Sequence, residues 1–516
     1  MHCGGSTTRL DDYANKATYG FRGKPASNSK KGRQSSIRSG ATFETLVTSD
    51  FPRHMIPTVD MARLFARHGV KATIVTTPIN APLFSATIEQ ERQLGHDIGI
   101  RVIKFPCVKA GLPEACENVN SIASLEMVLN FYKAVNLLQK PFKQVLEECR
   151  PHCIVAGLLF PWATDVAANF GIPRLCFHGT GVFALSVLHG LRQHKPYKTI
   201  TSDFEPFTVP GLPDQVKITR QQLPSFIKEE TENKVRSMLD QCIKSEMSSY
   251  GVLVNSFHEL EPGYSEHYMK VIGKKTWYIG PVSLCNRDTS DKAQQGHECL
   301  RWLYSKQPNS VIYICFGSLM HFSAAKQLFE IAMALEATGQ NFIWVVKKED
   351  KDKEEWLPEG FEMRVEGRGL IIRGWAPQVL ILDHEATGGF MTHCGWNSIL
   401  ESVTAGVPMV TWPLSAEQFY NEKLVTDVLK IGVGVGAQES SLLLEEKNNI
   451  VKKDDVKEAI IKLIACEEGE KMRIRAGKLK EMARRATEEG GSSYSDLNAF
   501  LEELKLTVKV PVKQEK

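Results

Sequence analysis

Charge of one sign, paired cysteines and long apolar runs are all scarce in this chain of 516 residues. Lys and Arg number 63 and Asp and Glu 60, a net of +3, which is no electrostatic footprint for nucleic acid or for a strongly acidic partner. The 12 cysteines run from Cys3 to Cys466 without paired metal-type spacing, in a chain far larger than a disulfide-stapled secreted domain, so a reducing, cytoplasmic setting fits best. The one tempting cluster, Cys149-Arg-Pro-His-Cys153, has no second ligand pair near it and reads as a helix end running into a buried strand. No run approaches the ~18 apolar residues of a membrane span. Cys153 to Ala163 comes nearest, and Pro161 interrupts it. No secretory h-region stands at the N-terminus. Residues 1–40 hold only Asp11 and Asp12 as acids among many Ser, Gly, Lys and Arg, and are expected to form a disordered extension, with organelle targeting as the alternative.

What the chain has is the make-up of a soluble globular protein, 42% apolar and 24% charged, and length for two or three domains. From about residue 43, apolar strands alternate with amphipathic helices, the pattern of parallel sheets covered on both faces. Strands are predicted at 42–48, 72–76, 100–105, 153–156, 174–177 and 251–255, the last closing a first doubly wound domain. The helices between them are predicted at 56–68, 125–149, 162–170 and 227–248. A loop-rich, polar passage up to Gly296 reads as a linker. A second set follows, with strands at 311–316, 341–346 and 370–374 and helices near 298–305, 324–337, 453–466, 470–488 and 493–504.

The densest stretch is Trp375 to Gln418, WAPQVLILDHEATGGFMTHCGWNSILESVTAGVPMVTWPLSAEQ. Phe390-Met391-Thr392 ends an apolar strand, Thr392-His393-Cys394-Gly395 makes a turn, and Asn397 and Ser398 open a helix that Gly406 and Pro408 stop. Strand, glycine turn and helix N-terminus make an anion site. Free N–H groups, the helix dipole, the Ser398 hydroxyl and the His393 imidazole can all face a diphosphate. Glu401, one turn on, could accept hydrogen bonds from ribose hydroxyls. Trp375 offers a flat face to a base and Gln378 an amide to its edge, while Glu417 and Gln418 suit sugar hydroxyls. Gly317-Ser318, at the end of a strand, makes Ser318 a further candidate for the diphosphate.

This segment resembles, along its whole length, the plant secondary product glycosyltransferase signature, the donor box of UDP-sugar-dependent glycosyltransferases. Ile279-Gly-Pro-Val-Ser-Leu284 and Trp356-Leu-Pro-Glu-Gly-Phe361 are similar to the branch acting on flavonoids, coumarins and triterpenoids. The resemblance implies a GT-B architecture of two facing Rossmann-like α/β domains. An acceptor-binding domain is expected at 41–262, a linker at 263–297, a UDP-sugar-binding domain at 298–487, and a helix returning to the first domain within 488–516. It implies that Trp375 stacks on uracil and that Gln378 and the Ala376 backbone contact the nucleotide. By the same token Glu401 binds ribose, His393, Asn397 and Ser398 the diphosphate, and Trp396, Glu417 and Gln418 the sugar. Gln418 favours glucose, since a His at that place accompanies galactose in some relatives. No metal is expected, because a helix terminus and His393 can meet the phosphate charge. UDP-glucose and a small aglycone are then the partners of a monomeric, cytoplasmic enzyme.

Transfer to a hydroxyl needs a base, and in the family that base is a His just before Met-Ile-Pro, which is His54 here. A helix N-terminus disfavours imidazolium and keeps such a ring able to accept a proton. Two departures stand against a full match. The segment Thr48-Ser-Asp-Phe-Pro-Arg-His54 replaces the family's aromatic-Pro-aromatic run ending in Gly-His. Gly157 occupies the place of the Asp that orients the His, and Asp165 sits on the next helix facing away. The expectation is an inverting glucosyltransferase, with a catalytically impaired UDP-sugar-binding homologue as the alternative. A nicotinamide oxidoreductase on paired Rossmann domains is a remote rival. Gly432-Val-Gly434-Val-Gly436 mimics a dinucleotide fingerprint but reads as a Gly-rich strand, His96-Asp97 as polar residues at the surface, and Lys347 to Glu355 as a solvated loop.

Overall fold

The computed structural model describes residues 44–48, 52–118, 121–122, 124–228, 234–289, 297–317, 325–346, 356–440 and 450–509. The expected extension at 1–40, Ser318 and the 347–355 loop lie outside them. Apolar strands with no alternation demand burial on both faces, and two parallel sheets supply it. The chain lays down β1 (Glu44–Thr48), β2 (Lys71–Thr76), β3 (Ile98–Val102), β4 (Cys153–Gly157) and β5 (Arg174–His178). A small hairpin, β6 (Pro206–Thr208) and β7 (Lys217–Thr219), precedes β8 (Gly251–Val254) and β9 (Thr276–Tyr278). The first sheet runs β3-β2-β1-β4-β5-β8-β9, all parallel. The second contains β10 (Val311–Cys315), β11 (Asn341–Val346), β12 (Gly369–Arg373), β13 (Thr387–Thr392), β14 (Met409–Thr411) and β15 (Gly432–Gly434), in the order β12-β11-β10-β13-β14-β15. Each sheet reverses its winding once, at β1/β4 and at β10/β13. Such a reversal opens a crevice at the carboxyl ends of the strands, where open α/β sheets take ligands.

Three local predictions needed correction. The linker does not begin at 263, nor does the strand from 251 close the first domain, because helix Tyr264–Ile272 follows and β9 pairs with β8 through Val252↔Thr276, Leu253↔Trp277 and Val254↔Tyr278. A strand of three residues has no period to read. The long helix at 125–149 is two, Leu125–Leu137 and Gln139–Cys149, because Pro141 has no N–H to continue the ladder. Helices Pro82–Gln93 and Val182–His194 were not anticipated. The second of these is apolar on most sides, so it shows no amphipathic stripe.

The first helix, Pro52–Arg67, opens with the turn that holds His54 and is anchored by its other end. Arg63 Nε and Arg67 Nη2 each donate to Glu91 Oε1 at 2.8 Å. His96 Nδ1 lies 2.6 Å from Glu91 Oε2, so the partly buried ring joins the Arg63–Glu91–Arg67 cluster instead of standing free in solvent. Burial alone would raise the Glu91 pKa, but the two guanidiniums outweigh it and hold the carboxyl at about 2. The last helix, Ser492–Lys509, lies on the first domain. Its Phe500 ring sits 5.8 Å from Phe65 and 5.2 Å from Trp277, and Asp496 Oδ2 accepts from Tyr278 N at 2.8 Å.

Candidate active site

The crevice at β10/β13 gathers most of the residues singled out in the sequence. β13 ends at Thr392, Cys394 turns the chain at φ +62°, and Gly395 caps helix Trp396–Ala405, which Gly406 ends in the left-handed conformation. The His393 ring is wedged between two glycines. A Cβ on Gly317 would come 2.8 Å from His393 Cε1, and one on Gly395 2.5 Å from Nε2, so only glycine lets the ring lie against both backbones. Asn421 Nδ2 donates to Cys394 O at 3.0 Å and ties the turn to helix Gln418–Lys423, a role the sequence reading missed. Ser398 is buried in the first turn, where N–H groups are left without helical partners and the dipole favours an anion.

Gln378 opens helix Gln378–Asp383, and its amide is spoken for. Nε2 donates to Glu401 Oε2 at 2.7 Å and to Ser398 Oγ at 3.4 Å, while Oε1 accepts from Tyr313 OH at 3.3 Å. Its visible work is to orient the carboxylate. Glu401 is partly exposed, yet its carboxyl is enclosed enough that desolvation pushes its pKa up to about 7. Trp375 follows β12 and the turn at Gly374, φ +115°, and is 68% exposed, with an edge-on ring contact to His297 at 6.5 Å among the described residues. An indole left this open is a free stacking surface. Ala376 packs on the core and its carbonyl accepts from Gln378 N at 2.9 Å.

Gln418 is fully buried. Its Oε1 accepts from Leu414 N at 2.9 Å and Ser415 N at 3.1 Å, which fixes the turn, while Nε2 has no partner among the described residues. A buried donor left over is costly unless a ligand takes it. Glu417, partly exposed, precedes it at the cap of the same helix. The Trp396 side chain is 2% exposed, and its Nε1 donates to Asn255 O in the first domain at 2.8 Å. Asn397 lies in the first turn of the same helix.

On the facing domain, His54 is in the first turn of its helix and Gly157 is the last residue of β4. The buried Arg174 guanidinium donates from Nη2 to Gly157 O at 2.9 Å and Ala156 O at 3.2 Å. Asp165 is exposed. Cys176, His178 and Glu246 are the group among the described residues that could hold a metal ion. His178 Nε2 and Glu246 Oε1 are 2.8 Å apart, a charge-assisted hydrogen bond, whereas tetrahedral zinc would spread them to about 3.3 Å. Glu246, with help from Cys176, overcomes desolvation and raises the His178 pKa, so His178 and Glu246 form a buried ion pair beside Cys176.

The family described as UDP-glucoronosyl and UDP-glucosyl transferase matches residues 212–472. Scopoletin glucosyltransferase of Nicotiana tabacum is 54% identical over 458 residues, 87% of this chain and 95% of the relative. UDP-glucose flavonoid 3-O-glucosyltransferase 7 of Fragaria ananassa is 53% identical, over 87% of this chain and 93% of its own. Among solved structures, a Glycyrrhiza uralensis protein complexed with glycyrrhetinic acid 3-O-monoglucuronide superposes with a TM-score of 0.86 at 42% identity, covering 91% of this chain and 96% of that one.

Proposed function

The chain belongs to the UDP-glucoronosyl and UDP-glucosyl transferase family, and on that premise we propose that it moves glucose from UDP-glucose, with inversion, to a hydroxyl of a small plant phenolic or triterpenoid. It is a UDP-sugar-dependent glycosyltransferase of GT-B fold. The relatives act by name on scopoletin and on flavonoids, and a solved neighbour holds a triterpenoid glucuronide. The alternative of an impaired sugar-binding homologue finds no support among them.

The observation that carries the donor reading is the hydrogen-bonded group of Gln378, Ser398 and Glu401, together with a buried Gln418 Nε2 that has no partner among the described residues. Trp375 takes the uracil, Glu401 the ribose hydroxyls, and His393, Asn397, Ser398 and the helix terminus the diphosphate. Gln418 Nε2 and Glu417 take the sugar, with Ser318 and the Ala376 backbone as further contacts. His54 removes the acceptor proton, the freed oxygen attacks the anomeric carbon, and the bond to UDP breaks as the helix terminus stabilises the departing diphosphate. No metal is needed in this scheme. Both substrate sites belong to one chain, so a monomer suffices. Free cysteines throughout the described residues support a cytoplasmic setting, and no described helix is long and apolar enough to cross a membrane.

UDP release with UDP-glucose and with UDP-galactose, across phenolic and triterpenoid acceptors, tests the reading. Faster turnover with UDP-glucose is expected, and preference for UDP-galactose would overturn the glucose assignment.

A further inference from the structure

We propose that Trp396 is a positioning residue, whose indole registers the donor helix against the acceptor domain so that occupation of the UDP site is felt across the cleft. Its N–H is given to Asn255 O at 2.8 Å, just past β8. The Asn255 side chain in turn accepts from Val282 N at 3.0 Å, where the chain leaves the first sheet. One residue of the first domain thus holds both the start of the donor helix and the start of the connection between the domains.

The same edge of the indole, beyond Nε1, rests on Gly181. A Cβ there would stand 2.5 Å from Trp396 Cη2, 2.6 Å from Cζ2 and 2.5 Å from Glu261 Oε1, so the three parts meet with no room for a methyl group. Gly181 is the N-cap of helix Val182–His194, and Glu261 Oε1 accepts from Phe183 N at 2.7 Å at that same helix end. Glu261 Oε2 takes the Ser256 hydroxyl, which fixes the carboxylate from behind. Farther along, helix Val182–His194 packs on helix Gln418–Lys423, the one Gln418 opens. A single acceptor-domain helix therefore touches the donor box twice. Trp396 immediately precedes Asn397 and Ser398, so a shift of the indole and a shift of the diphosphate end of the helix are one motion. Packed interfaces of this kind move between discrete arrangements rather than deforming smoothly.

The inference rests on the donor-site reading above. Hydrogen exchange of the full chain, with and without UDP, needs no acceptor. UDP should slow exchange in peptides from 182–194 by about 5-fold or more, the low end of usual coupling between sites. In Trp396→Phe, which keeps a ring and loses the indole N–H, that protection should vanish while UDP affinity stays within about 3-fold of the parent and kcat falls about 10-fold. Gly181→Ala, which pushes on the same ring from the other domain, should do likewise and serves if Trp396→Phe does not fold. Protection confined to the second domain in the parent, or retained in the variants, overturns the proposal. So does a changed ratio of UDP-glucose to UDP affinity in Trp396→Phe, which would make the indole a sugar contact. A parent that binds no UDP defeats the donor-site reading and this inference with it.

Discussion

The donor half and the acceptor half of this molecule have the same architecture and differ in how their sites are assembled. On the donor side, Trp375, Gln378, His393, Ser398, Glu401 and Gln418 fall within one stretch of 44 residues, on three successive strand ends and the helices that follow them. On the acceptor side, His54, Gly157, Gly181 and Asn255 come from four separate strand ends spread over two hundred residues. A site drawn from one stretch constrains its own spacing, while a site drawn from many loops leaves each free to vary. The donor chemistry can therefore be stated residue by residue, and the acceptor chemistry only through its base.

The largest expected effect attacks the acceptor side alone. His54→Ala should cut transfer on the order of 10²–10⁴-fold, the usual worth of a general base, with UDP affinity unchanged because the base belongs to the other domain. Turnover within about 2-fold of the parent would show His54 to be a helix-end residue and no more.

Next in size is Glu401→Ala, which should weaken UDP about 10–100-fold, the equivalent of about 1.5–3 kcal/mol for a hydrogen bond to a charged group. Calorimetry measures it, and unaltered affinity would remove Glu401 from the ribose site. The same carboxyl gives a pH dependence. Its pKa in the free protein is pushed up to about 7 by desolvation, and ribose hydroxyls need the ionised form as acceptor. UDP affinity should fall about 10-fold from pH 8 to pH 6 in the parent and stay flat in Glu401→Gln. The fold itself responds in the opposite sense: a raised carboxyl pKa favours the native state below about 4.5, and that contribution is lost as pH rises through about 7.

Gln418→Ala should separate nucleotide from sugar. It removes the unspent Nε2 donor, so UDP-glucose affinity should fall about 5-fold more than UDP affinity. Equal losses for the two ligands would mean that only the Leu414–Ser415 turn had been disturbed.

Both doubly wound sheets were readable in the sequence, because fully buried parallel strands leave unbroken apolar runs such as Cys153-Ile-Val-Ala-Gly157. The donor turn was readable because glycine and helix-start chemistry fix it locally. What escaped was decided by distant packing. Helix Val182–His194 lies between the first sheet and the donor box, so it carries no polar face, and its Gly190 is there to admit the β6–β7 connection: a Cβ would meet Val209 Cγ1 at 2.9 Å and Pro210 O at 3.1 Å. The sequence places Trp396 in the donor box and carries no sign of its contact with the other domain. Only the three-dimensional arrangement reveals that Asn255, 141 residues earlier, takes its N–H.

The smallest and most discriminating change sharpens the comparison from its weaker side. The family pattern puts a carboxylate at Gly157, behind the imidazole that takes the acceptor proton. A His without such a partner has nothing to fix its tautomer or to stabilise the imidazolium formed in the transfer. Backbone strain does not stand in the way of restoring it. Gly157 closes β4 in extended conformation, paired with Phe177, and its carbonyl is already held by Arg174, so an Asp there needs no left-handed φ. Acidic phenols shed a proton with little help, whereas alkyl alcohols depend on the base. Gly157→Asp should therefore raise turnover about 3-fold on alkyl alcohol acceptors and leave phenols nearly unchanged, as expected when general-base strength matters more for weaker acids. The measurement is UDP release by parent and variant across acceptors of graded hydroxyl pKa. If the folded variant is no faster on any of them, the missing carboxylate does not limit this chain, and the altered segment Thr48 to Arg53 ahead of the base becomes the part to exchange.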